Sequence, residues 1–557
     1  MSLRRRATFV FRSAPLFIVV IVGLCVPLYS TAADTAPESP PLYEFIKSHI
    51  DPATGALSAD ATLLPDEPGA RRFSRLRWVP GALEGLGTRH MHWDGSENAS
   101  RATRLLELIE DGNDAAEPGL YDLLRTDDVV TFYSDTLDLA SARIRDPEPV
   151  LHDLARRLVT QSRDRGPVKF GIAMLGAIGD PHDLPLVQRM ALHDEFGLYA
   201  AEAIGEIAPD PQGALFDMAR KVTGWGRVEA VTKMVATSDP ALRRWLLTEG
   251  FRNTITPQYL AYQCVTIAKL ADALADALAS SHAGSKADLP LLVGAADLIQ
   301  TLIKPGPGPG IDRYSDAAPA AESFLHLIQK RHDSVSFFLA ADALRDYATA
   351  YKASADDEAK WTPEQQHEVA DLASRIAADS SWKRHVTAAI LNDNTDLNAA
   401  ETAAQKLKIE TFELHVKRLE KNPSNPTRWT LAFASADPAR AARLVDIAQH
   451  TFGNRFSEID PRINTTDSNE RRAADTLEAV LKGVAGYPGS GLRLVESSLG
   501  DGDDRVRRAA VETLIRWGGP YLRDPSVRTA LNTAARGEAD EALKARMVAL
   551  LNLGTLP

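Results

Sequence analysis

At 557 residues the chain is too long for a single ordinary core, so several domains or a repeat array is expected. Its 44% apolar and 25% charged content excludes wholesale disorder. A formal net charge of −12 weighs against nucleic acid or anionic lipid as a partner over most of the surface.

Residues 1–33 read as a signal peptide. Arg4, Arg5 and Arg6 precede the apolar run APLFIVVIVGLCVPLY, which ends in the small residues Ser30, Thr31, Ala32 and Ala33. That run is shorter than the ~20 residues a spanning helix needs, so export and cleavage near Ala32 or Ala33 are expected, with no stable membrane insertion afterwards. Leu24 before Cys25 fits a lipoprotein signal poorly. The mature chain, without Arg4, Arg5, Arg6 and Arg12, carries −16 and keeps one cysteine, Cys264, so no intramolecular disulfide can form. A periplasmic or extracellular location follows.

Residues 34–144 read as a Pro-rich, irregular region with the first helices. RRFSRLRW, 71–78, interleaves Arg71, Arg72, Arg75 and Arg77 with Phe73 and Trp78. It reads either as an anion-binding strip or as a segment whose arginines pair with an acidic body. GTRHMHWD then puts His90, His92 and Asp94 on alternate positions, the donor set zinc prefers. This is similar to part of the metallo-β-lactamase-type zinc motif, although that family has a further His where this chain has Gly95. The opposing reading is a polar surface loop. DGNDAAE, 111–117, is acidic but lacks EF-hand spacing, and DVVTFY, 128–133, is either a short strand or a helix start.

A repeat begins near residue 145 and is expected to run to 284. Asp-Pro recurs at 146–147, 180–181, 210–211 and 239–240. Each pair marks a helix start, because Asp caps the exposed N–H groups and Pro at the first position gives up an N–H without a partner. Val168, Ile172, Leu175 and Ile178 then form one helical face, and Phe196, Ala200, Ile204 and Ile207 another. Cys264, in QYLAYQCVTIAKL, reads as a core residue.

From 285 to 480 helices are expected without a readable period. KPGPGPG, 304–310, cannot hold a helix or ladder and reads as a flexible or extended loop. WTPEQQHEVADLASRI starts a helix with Thr362 as cap, Pro363 at its first position and Gln365 closing a capping box; Val369, Leu372 and Ile376 form its apolar face. The last region, 481–557, is more regular. In GLRLVESSLGDGDDRVRRAAVETLIRWG, Leu494 and Leu499 close one helix and Asp503 and Asp504 occupy the turn. Val506, Arg507, Ala510 and Leu514 follow on the second helix, and Gly518 ends it. A weaker copy follows, with Asp524-Pro525 opening one helix and EALKARMVALLNLG forming the next. The stretch resembles a HEAT repeat of the bilin-lyase-like type, which implies an all-α solenoid of stacked antiparallel helix pairs.

No G-x-S-x-G is present, PGSG at 488–491 has no preceding strand signal, and no phosphate-cradling Gly loop appears, so no cofactor is expected. GDGDD, 500–504, reads as helix capping rather than calcium binding, and Arg507 as a pairing residue of the repeat. The expected function is a non-catalytic scaffold whose concave helical surface holds a protein partner with a basic surface. The alternatives are a metal-dependent hydrolase using His90, His92 and Asp94, and an accessory protein like the bilin lyases that the resemblance implies.

Overall fold

Asp-Pro does in three dimensions what its chemistry requires. Asp180 accepts from the His182 N–H at 2.6 Å, Asp210 from Gly213 at 3.0 Å and Asp239 from Ala241 at 2.8 Å. Asp437 and Asp524 cap later helices in the same way, at 2.8 Å from Arg440 and 2.9 Å from Ser526. Thr362 and Gln365 close the expected capping box reciprocally, at 3.2 and 3.1 Å. Each cap satisfies N–H groups that the helix itself leaves without partners.

The computed structural model describes residues 39–66, 79–144, 149–284, 287–355, 357–453 and 468–553. The signal segment 1–33, the arginine-rich 71–78 and Asp146-Pro147 lie outside the described residues. Among those described are 29 α-helices and no strand. Residues 128–133 resolve as a 3-10 turn, Val129–Thr131, leading into the helix Tyr133–Arg143, so the helix-start alternative holds there. No described helix is long and apolar enough to cross a membrane.

Alternate helices stack on one another. Arg165–Ile178 packs on Gly197–Ile207, which packs on Trp225–Lys233. Leu289–Ile303 packs on Val335–Ala350. Pro426–Ala434 packs on Ser468–Val484, and that helix on Asp504–Trp517. Side chains bridging neighbours record the offset along the chain. It is 30 residues for Arg165–Glu195, Arg440–Glu410 and Arg505–Asp475, and 31 for Lys233–Glu202 and Arg507–Glu538. In the middle it lengthens to 44 for Arg244–Asp288, 45 for Arg252–Asp297 and 47 for His332–Asp379.

The single-face reading of the helix Arg165–Ile178 is too narrow. Every residue from Pro167 to Leu175 is buried, and only Ile178 of the four expected face positions is half-exposed. The helices Glu117–Thr126 and Tyr133–Arg143 cover it from a second side, so a stripe of four residues understates what it hides. KPGPGPG is extended but packed: a Cβ at Gly308 would lie 2.0 Å from the Gln258 carbonyl oxygen, an approach only glycine permits. The apolar core divides in two, one cluster running from Leu42 to Ala404 and the other from Phe412 to Leu550.

Candidate functional site

The structure does not bring His90, His92 and Asp94 together as ligands. His90 is the last residue of the helix Ala82–His90, and its Nε2 meets the Tyr259 hydroxyl at 3.2 Å. Asp94 instead accepts from the Ser96 hydroxyl at 2.7 Å and from its N–H at 3.3 Å, turning the chain into the next helix. Hydrogen bonds from Ser96 hold its carboxyl below the usual carboxylate range. Among the described residues no group of three or more His, Cys, Asp or Glu side chains is arranged to hold a metal ion.

The other candidates from the sequence are structural in their contacts. Asp503 caps the helix Asp504–Trp517 through the Arg505 N–H at 2.9 Å. Arg507 pairs with Glu538 at 2.7 Å and donates to the Asp501 and Gly502 carbonyls. Cys264 is fully buried, which pushes its thiol far above the ordinary value and makes it inert. Residues 114–116 of the acidic turn form a short 3-10 helix, and Gly491 of PGSG simply precedes the helix Leu492–Ser498.

A dense group of buried charges lies elsewhere. Lys169 donates to Glu84 Oε1 at 2.5 Å and to Glu195 Oε1 at 2.7 Å, and all three residues are buried. Arg165 reaches Glu195 at 3.1 Å and clasps Asp66 at 2.8 Å, while the Gly81 N–H donates to Glu195 Oε2 at 3.1 Å. Tyr199 adds a longer bond to Glu84 at 3.4 Å, and Glu84 Oε2 has no partner. The knot joins the helix Ala82–His90 to the two stacked helices behind it. Trp225 closes the joint, lying so near Gly85 that a Cβ there would meet its ring at 2.0 Å.

Burial alone would raise both glutamates, but their surroundings separate them. Glu195 has Lys169, Arg165 and the Gly81 N–H, which together outweigh burial and pull it down to about 2. Glu84 shares only Lys169, so burial wins and its carboxyl rises. Lys169, though penalised by burial, is held above its ordinary value by the two carboxylates. These opposed shifts resemble the pattern of acid–base sites, yet structural ion networks produce them too. All three groups are buried, and their bonds fasten the helix Ala82–His90 to its neighbours.

Beside the knot, burial pushes His193 down to about 4. A histidine with a depressed folded value leaves its stabilisation present above pH 6.5 and lost as pH falls toward 4, because the unfolded chain takes up the proton first. That interval corresponds to about 3 kcal/mol. Burial pushes Asp194 up to about 6, so its contribution runs the other way, fading as pH rises through that value. Comparing wild type with His193→Gln cancels the Asp194 effect. The variant is expected to gain about 3 kcal/mol relative to wild type between pH 7 and 4 in urea titrations. A difference independent of pH would refute the assignment.

A second polar group contains serine, histidine and aspartate. Ser381 Oγ lies 2.7 Å and Asp379 Oδ2 2.9 Å from His332, but both meet the same ring nitrogen, Nε2. A nucleophile relay needs serine and aspartate on opposite nitrogens, so this trio does not form one. Sequence reasoning passed over Glu84, Lys169 and Glu195. One signal was available: Lys169 sits inside the otherwise apolar VKFGIAMLGAI, where a charge must find a partner. No protein-family model, no curated protein and no solved structure matches this chain.

Proposed function

We propose that the chain is an exported, non-catalytic protein-binding scaffold, an α-solenoid of HEAT-like helix pairs whose long concave helical face holds a partner with a basic surface. One observation carries this reading: helices stack on the second helix along the chain, and bridging side chains recur at offsets of 30 and 31 residues at both ends. Stacks of that kind offer area instead of a chemical pocket. The net charge of −12 favours fast capture of a basic partner and sensitivity to salt.

The test is affinity capture from the native envelope on the purified chain, at low and at high salt, followed by titration of the enriched protein against the chain. Saturable binding that weakens with salt is the expected result. Enrichment of no protein at either salt, together with one zinc per chain lost in His92→Ala, would replace the scaffold by the hydrolase reading.

A further inference from the structure

The chain is acidic overall, yet one cleft among the described residues is not. It measures about 610 Å³ and lies between the end of the helix Leu270–His282 and the segment that leaves the helix Ala317–Ile328. Its charged and imidazole side chains are His282, His326, Lys330, Arg331, His332 and Asp333. Asp333 is the sole carboxylate among the lining residues, and Arg331 Nε occupies it at 2.6 Å. The Ala287 carbonyl receives Arg331 Nη1 at 3.1 Å, which fixes the guanidinium in the wall, while Nη2 has no partner.

Lys330 and His282 are exposed and have no hydrogen-bond or ion-pair partner among the described residues. His332 is anchored through Nε2 to Ser381 and Asp379 and stacks on His385 at 4.7 Å. His326 stands 3.7 Å from Glu368 at the rim. The cleft lining therefore offers an ammonium, a fixed guanidinium and three imidazoles, each ring with an N–H to donate, against one lining carboxylate that Arg331 already uses. Asp379 and Glu368 stand outside the lining, beside His332 and His326. An excess of donors over acceptors favours anions, and the charge-assisted bonds that Lys330 and Arg331 can make are the strong ones. The volume is that of a small-molecule site, within roughly 300–1,000 Å³.

We propose that this cleft binds a small multiply charged anion bearing phosphate or carboxylate groups, with Lys330 and His282 as the mobile contacts and Arg331 as the fixed positive wall. The proposal stands independently of the scaffold reading. It is tested by isothermal titration of the full chain with inorganic pyrophosphate and, separately, with citrate, at low ionic strength. Saturable binding of at least one is expected, and the anion that binds identifies the preferred group. The double variant Lys330→Ala/His282→Ala changes only exposed side chains, and it should weaken that binding at least about tenfold with an unchanged circular dichroism spectrum. Absence of saturable binding to both anions would overturn the proposal. So would undiminished binding in the double variant, or binding of an acidic peptide alone.

Discussion

Lys169→Met is expected to lower the stability of the Leu42–Ala404 core by about 3–5 kcal/mol, the loss typical of removing one member of a buried ionic group. Methionine keeps most of the volume, so the effect reads the charge rather than a cavity. Glu195 would retain Arg165 and the Gly81 N–H, but Glu84 would keep only its 3.4 Å contact with Tyr199. The stranded group is thus Glu84. Adding Glu84→Gln should restore part of the loss, because an amide needs no counter-charge. Urea denaturation followed by intrinsic tryptophan fluorescence, to which Trp225 in the same joint contributes, reads the change. A loss below about 1 kcal/mol would mean that the knot is not an ionised buried network.

Trp429→Ala should cost a further 3–5 kcal/mol, roughly, this time in the Phe412–Leu550 core. The indole is fully buried, donates to the Pro423 carbonyl at 2.7 Å and stacks near Phe433. The loss should stay local, because polar groups line the boundary between the cores. His415 meets Glu401 at 3.1 Å, and Arg428, fully buried, donates to the Ile390 carbonyl at 2.8 Å and to Asp393 at 3.0 Å. Burial, aided by the neighbouring Arg418, lowers the Arg428 guanidinium to about 10. Calorimetry should therefore show one endotherm moved down by roughly 10 °C while the other holds its position. A single endotherm, displaced as a whole in the variant, would show the two cores melting as one unit.

A salt dependence links these tests to the proposed function. The knot and the Arg428 seam are buried and screened little, whereas capture of a basic partner acts across solvent and is screened within about 10 Å at 0.1 M salt. Stability should hardly change over a salt range that abolishes binding.

The sequence by itself determined the helical class, the helix starts that carry a cap and the turn before the helix Asp504–Trp517. Those features are local: a carboxylate or hydroxyl caps N–H groups two or three residues away, as Asp180, Thr362 and Asp503 do. Their chemistry is complete before any helix meets another. A regular spacing was legible where bridging side chains lie near 30 residues apart, and faded where the helices lengthen to 15 and 16 residues at Leu289–Ile303 and Val335–Ala350. Only the tertiary structure decided what those helices cover. Glu84 and Lys169 are 85 residues apart, Asp66 and Arg165 are 99 apart, and His90 finds Tyr259 at a separation of 169. No short-range pattern encodes such pairs, because they depend on which helix packs over which. The same dependence made His90, His92 and Asp94 look like a ligand set on an extended segment. Ending one helix at His90 and beginning the next at Ser96 instead sends His90 to Tyr259 and Asp94 to Ser96.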